Sequence, residues 1–179
     1  MTTRPLSLGP RPFPRRAVAC LTVALAAVGA PAHADGPLLP QQVPTAYTQE
    51  CGSCHVAYPP ALLPAPSWQR LMNGLERHYG SDASLDEATV QQLAGWLQQH
   101  AGTYKSVAEA PPQDRITRSA WFERKHRRLD AAVWRHASVK SAANCAACHP
   151  GADRGRFDDE ALRFPAGLDA RHRRAFQGD

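Results

Sequence analysis

Two copies of one short motif constrain what this 179-residue chain can fold into. Residues 51–55 read C-G-S-C-H and residues 145–149 read C-A-A-C-H. In a helical turn, positions i, i+3 and i+4 lie on one face, so each motif presents two thiols and one imidazole together. C-x-x-C-H is the attachment signal of c-type haem: the thiols form thioethers with the vinyl groups, and the imidazole binds the iron. The sequence therefore predicts two covalently attached haem c groups.

The two motifs use every cysteine outside the first 34 residues. A four-cysteine zinc site is the first alternative, but its cysteine pairs usually lie much closer in sequence than these two do. Two disulfides would be permitted in an exported chain, but they leave the adjoining histidines unexplained. A thioredoxin-like pair expects a βαβ context, which the sequence lacks. We expect the attachment residues and the first axial ligands to be Cys51, Cys54, His55, Cys145, Cys148 and His149.

The first 34 residues predict export. They contain four arginines and no acidic residue, then an apolar run at residues 17–30 and the sequence A-H-A. This is the pattern of a secretory signal peptide, which we expect to be cleaved after Ala34 in the periplasm. Cys20 would be removed with it. The apolar run is short for a membrane span, and no second one follows, so no membrane span is expected.

Composition limits the possible partners and the core. Removing the four arginines of the signal leaves 17 basic against 16 acidic residues, so nothing argues for a nucleic-acid partner. Aromatic residues make up only 7% of the chain, which is little for a core built from side chains alone. Two haems would supply large apolar surfaces for the remaining side chains to cover.

The fold class predicted for the chain is all-α with long loops, because no stretch alternates between apolar and polar residues for long. Two small c-type haem-binding halves would wrap around the two haems. A short helix at the first motif is predicted, with others over residues 67–79, 84–101, about 117–133 and 141–149. Ser67 is expected to cap the helix over 67–79, and Ser84 to open the helix over 84–101 with a capping box. The apolar face of that helix is expected to include Leu93 and Leu97. The predicted division is a signal peptide (1–34), an extended leader (35–50), a first haem-binding half (51–102), a connection (103–116), a second haem-binding half (117–165) and a polar tail (166–179).

The second axial position of each iron needs its own ligand. The chain after residue 34 contains one methionine, Met72, so the two haems cannot both have histidine–methionine ligation. His78 and His126 each lie in a stripe of apolar residues spaced three or four positions apart. We therefore expect His78 and His126 to bind the irons.

Other residues remain alternatives for these positions. A histidine in an apolar stripe is often an ordinary core residue. Met72 could serve the first haem, although it also suits core packing. His136 is the best substitute for His126, whereas His100 suits a helix C-cap and His172 lies in the tail.

A basic run surrounds His126. Arg124, Lys125, Arg127 and Arg128 could form a solvated helix face. The same residues could instead pair with haem propionates or dock an acidic partner.

Three stretches within residues 51–157 carry a family resemblance: CGSCHVAYPPALLPAPSWQRLMNGLERHYGSDASL, RITRSAWFERKH and KSAANCAACHPGADRGRF. Together they make the chain resemble the bacterial periplasmic dihaem cytochrome c family. The resemblance implies two low-spin bis-histidine haems and an electron-carrier role. It also implies a small high-spin cytochrome c as partner, often alongside a membrane cytochrome b. The family's H-[FY]-G histidine falls on His78, and its R-K-H histidine falls on His126.

The expected function is a periplasmic dihaem c-type cytochrome that carries single electrons between redox partners and is not an enzyme. One alternative is a peroxidase-like dihaem enzyme, which needs a haem site that can open. The other is a small electron-transfer subunit of a periplasmic reductase.

Overall fold

The computed structural model describes residues 38–105 and 107–176, so the predicted signal peptide and the start of the leader lie outside the described residues. Within these ranges the chain forms α-helices and 3-10 turns joined by long loops, with no strand. One isolated bridge pairs His78 with Ser81. The prediction of an all-α class with long loops is confirmed. None of the described helices is long and apolar enough to cross a bilayer.

The described part of the chain contains five α-helices and eight 3-10 turns. The α-helices are α1 (Thr45–Glu50), α2 (Ala65–Met72), α3 (Glu87–Gln99), α4 (Ala120–Lys125) and α5 (Ala131–Arg135). The 3-10 turns are Pro60–Leu62, Leu75–Arg77, Pro112–Asp114, Ile116–Arg118, Cys145–Ala147, Ala152–Arg154, Asp159–Ala161 and Ala170–Phe176.

The prediction of an extended leader is wrong for its last six residues, which form α1. A six-residue helix is too short to show a helical period or to be stable alone, so tertiary packing must hold it. Tyr47 supplies that packing: it is 1% exposed, and its hydroxyl donates to the backbone carbonyl of Tyr58.

The helix predicted over residues 67–79 begins two residues earlier than predicted, at Ala65, and ends seven residues earlier, at Met72. α2 begins after Pro64, and proline is well tolerated in the first turn of a helix, where Pro66 lies. Ser67 is therefore buried inside α2 instead of capping it. The helix ends at Met72, and a separate 3-10 turn follows Gly74.

α3 has the predicted buried face but a different start. Its N-cap is Asp86, not Ser84, and the carboxylate of Asp86 accepts a hydrogen bond from the backbone N–H of Thr89 (3.0 Å). Leu93 and Leu97 are fully buried, and α3 packs against α2. The two helices build most of the core next to the first motif.

In the second half, the single helix predicted from about residue 117 is two helices. Ser119 caps α4, since its hydroxyl accepts a hydrogen bond from the N–H of Phe122 (3.1 Å). Asp130 then caps α5. The helix predicted over residues 141–149 is only the 3-10 turn at Cys145–Ala147.

The C-terminal segment differs from the predicted polar tail. Residues 170–176 form a 3-10 turn, and Leu168 is buried with Val133 and Val139. This small cluster is the core next to the second motif. The larger cluster next to the first motif contains Tyr47, Ala57, Leu63, Trp68, Met72, Leu93 and Leu97.

Candidate functional site

The first motif continues directly from α1. Cys51 is the C-cap of this helix and packs, half-buried, against the first core, whereas Cys54 is exposed. A Cβ atom on Gly52 would collide with the carbonyl oxygen of Thr48, so this turn needs glycine. The N–H at Nδ1 of His55 donates to the Val56 carbonyl (2.8 Å). That hydrogen bond leaves the lone pair on Nε2 for a metal.

His78 lies opposite His55. The two ring centroids are 6.2 Å apart and the ring planes differ by 26°. With metal–nitrogen bonds of about 2 Å and nitrogens about 1 Å from their ring centres, two imidazoles on opposite sides of one metal ion have centroids about 6 Å apart. The His55–His78 spacing fits one iron held between the two rings.

The second motif borders a cavity of about 320 Å³. Cys145, Cys148 and His149 line it together with His126, one of the two histidines expected to complete the iron coordination. The ring centroids of His126 and His149 are also 6.2 Å apart, but their planes differ by 78°.

His126 is held by the end of α4. As its C-cap, His126 stacks on the ring of Phe122 (4.0 Å between centroids, 22° between planes). Its Nδ1–H donates to the Phe122 carbonyl at 2.9 Å. This hydrogen bond fixes the tautomer whose Nε2 can bind a metal.

Burial favours the neutral form of three imidazoles in these sites. It lowers the pKa values of His78, His126 and His149, since a charged imidazolium is poorly solvated there. A neutral imidazole offers the lone pair that an iron ligand needs.

Burial acts on the thiols in the opposite direction. It raises the pKa of Cys51 and of Cys145 to about 11, and that of Cys148 rises for the same reason. The surroundings therefore disfavour a charged thiolate. A thioether is uncharged and suits these positions.

Each site also contains a nitrogen without a partner. Nδ1 of His78 and Nδ1 of His149 are buried and have no hydrogen bond. No described residue therefore engages either ring through Nδ1, which leaves both rings available to a bound group. The ring spacings fit one iron in each site, and the cavity at the second site offers space for a porphyrin.

The alternative site residues lie elsewhere. Met72 packs in the first core, and His100 donates to the Trp96 carbonyl (2.8 Å), as expected of a helix C-cap. His136 hydrogen-bonds Ser138, and His172 lies 3.3 Å from the carboxylate of Asp130. Among the described residues, no three or more His, Cys, Asp or Glu side chains are grouped to hold a metal ion, so a four-cysteine zinc site is not formed.

The basic residues around His126 make different contacts: two line the second cavity, and one donates a hydrogen bond to the backbone. Lys125 forms an ion pair with Asp159 (3.3 Å), and Lys125 and Arg128 line the second cavity. Arg127 uses its guanidinium to donate to the Arg124 carbonyl.

Sequence reasoning missed the aromatic residues that hold the imidazoles. The ring of Tyr58 stacks on His55, with 4.7 Å between centroids. The ring centroid of Trp134 lies 5.7 Å from that of His126, and the ring centroid of Phe157 lies 5.3 Å from that of His149. The only sequence signal was that Tyr58 follows the first motif closely.

Comparisons with known proteins identify the family of this chain. A profile of the family described as dihaem cytochrome c matches residues 47–157. The crystal structure of DHC purified from Rhodobacter sphaeroides is 42% identical, with a TM-score of 0.56, and the match covers 65% of this chain and 98% of that chain. The X-ray structure of the diheme cytochrome type c from Shewanella baltica OS155 is 36% identical, with a TM-score of 0.61, covering 69% of this chain and 96% of that chain.

No curated protein compared with the chain matches it significantly. The profile nevertheless spans both C-x-x-C-H motifs and more than half of the chain. The chain therefore belongs to the dihaem cytochrome c family, whose members are haem-based electron-transfer proteins with two covalently bound haem c groups.

Proposed function

We propose that this protein is a periplasmic carrier of single electrons with two bis-histidine haems. In the first site, Cys51 and Cys54 bind the haem covalently, and His55 and His78 hold the iron. In the second site, Cys145 and Cys148 bind the haem, and His149 and His126 hold the iron. The observation that carries this proposal is the 6.2 Å spacing of both imidazole pairs.

Haem supplies reversible one-electron chemistry, and the residues of the chain determine how it is used. If two imidazoles held each iron as proposed, the metal would keep no open position for a substrate. This favours a carrier over a peroxidase-like enzyme. Methionine ligation raises the potential of a c-type haem, so two bis-histidine haems should have lower potentials than histidine–methionine cytochromes.

The proposed location and partners rest on the signal peptide predicted at residues 1–34 and on the family. We propose that electrons pass to or from a small high-spin cytochrome c, with a membrane cytochrome b as a second partner. A permanent complex with a periplasmic reductase is the competing arrangement. Size-exclusion chromatography of native extract separates the two, because a permanent subunit would elute with its larger partner.

Replacing a distal histidine, meaning the iron ligand from outside the C-x-x-C-H motif, tests the ligand assignment. His78→Ala and His126→Ala, made separately, should each convert one haem from low spin to high spin in low-temperature electron paramagnetic resonance. Both haems should remain attached, as counted by pyridine haemochrome and intact mass. The near-infrared region should show no methionine–iron charge-transfer band in the wild-type protein.

His100→Ala is a matched control, because the imidazole of His100 also donates to the carbonyl four residues earlier. This variant should keep two low-spin haems. If His126→Ala also kept two low-spin haems, His126 would not be an axial ligand. Rapid carbon monoxide binding by the reduced wild-type protein would favour the enzyme instead.

A further inference from the structure

Tyr58 contacts both haem sites. Its ring stacks on His55, with 4.7 Å between centroids and 22° between planes. Its hydroxyl donates to the carbonyl oxygen of Ala143 at 2.6 Å. Ala143 lies two residues before Cys145, so one side chain joins the proximal imidazole of the first site to the attachment segment of the second.

The backbone of Tyr58 is fixed in the first core. Its neighbours Ala57 and Pro59 are buried, and its carbonyl oxygen accepts the hydroxyl hydrogen bond of Tyr47. A phenol is protonated at neutral pH, so the Tyr58 hydroxyl remains a hydrogen-bond donor.

We propose that Tyr58 is a positioning residue that couples the two haem sites, its ring fixing the plane of the His55 imidazole and its hydroxyl fixing the spacing between the haems. This inference rests on the function proposed above. In the exchange that it affects, one electron leaves a ferrous iron and reduces the ferric iron of the other haem. Tyr58 gains or loses no proton or electron, and no bond is formed or broken.

The two contacts can be separated by substitution. Tyr58→Phe keeps the ring and deletes the hydrogen bond to Ala143, whereas Tyr58→Leu deletes both. Electron tunnelling slows steeply with distance, so Tyr58→Phe should slow the exchange between the haems severalfold. Pulse radiolysis of the oxidised holoprotein measures this rate as the injected electron redistributes.

The ring contact has a spectroscopic signature that a merely structural role would not move. Imidazole plane angles determine the g-values of a low-spin ferric haem. Tyr58→Leu should therefore shift the g-values of the first haem and leave those of the second unchanged. Tyr58→Phe should retain the wild-type g-values of both, which amounts to rescue by the conservative variant.

Tyr79→Phe is the matched control. It keeps a ring beside a proposed iron ligand, with 4.9 Å between the ring centroids of Tyr79 and His78. It deletes the hydrogen bonds from the Tyr79 hydroxyl to the carbonyls of Gln113 and Asp114 (3.0 Å), which lie outside the second motif. It should keep the wild-type exchange rate. A wild-type exchange rate in Tyr58→Phe would overturn the inference even if Tyr58→Leu failed to fold. A wild-type protein without two low-spin haems would instead refute the proposed function.

Discussion

At the scale of single residues, the contacts of each imidazole determine the plane in which it lies. His55 is held by the ring of Tyr58 and the carbonyl of Val56. His126 is held by both the ring and the carbonyl of Phe122. As a result, the two rings are close to parallel in the first pair (26°) and close to perpendicular in the second (78°).

These angles predict two different ferric signals. Nearly parallel imidazoles split the iron d orbitals more than perpendicular ones, so the first haem should give a rhombic low-spin spectrum. The second should give a highly anisotropic signal with a larger maximum g-value. Low-temperature electron paramagnetic resonance of the oxidised protein measures both, and His126→Ala should remove the anisotropic signal alone. Two identical rhombic signals would contradict the predicted planes.

At the scale of elements, buried faces were easier to predict than helix ends. The apolar stripe of α3 was predicted correctly because Leu93 and Leu97 repeat with the helical period. The break after Met72 and the new start after Asp130 were missed. Both breaks are short irregular segments. The apolar residues on either side are spaced as in one continuous helix, so the sequence pattern gives no sign of the break.

The cap of α4 gives a prediction at this scale. Ser119→Ala removes the hydroxyl that accepts the Phe122 N–H, and the loss of such a cap costs about 1 kcal/mol of stability. Chemical denaturation of the holoprotein measures this loss as a lower free energy of unfolding. Ser84→Ala is the matched control: that serine was expected to open a capping box, yet Asp86 caps α3, so the change should be within about 0.5 kcal/mol. Equal losses in both variants would contradict these cap assignments.

At the scale of the whole molecule, the second haem site depends on distant parts of the chain. Leu38, Leu62, Tyr104 and Ile116 line its cavity, although they precede the second half in sequence. Among the described residues, three buried members form the second core cluster: Val133, Val139 and Leu168. A bound haem would therefore supply much of the apolar surface that this region buries.

This dependence predicts that the chain needs its haems to fold. Expressed without the haem-attachment machinery, the protein should be largely disordered, because an empty cavity forfeits apolar contacts and a ligand bound only by the folded state stabilises it. Circular dichroism during heating should show a cooperative transition for the holoprotein and none for the apoprotein. A cooperative apoprotein transition near that of the holoprotein would contradict this.

The sequence by itself determined the haem chemistry, because C-x-x-C-H places its reacting groups within five consecutive residues. It also determined the all-α class, which follows from local periodicity. Only the tertiary structure decided that His78 faces His55 and that His126 faces His149. It alone also brought Tyr58 to Ala143, 85 residues away. These pairings depend on how loops and short turns pack around two cores, and no local sequence pattern encodes that packing.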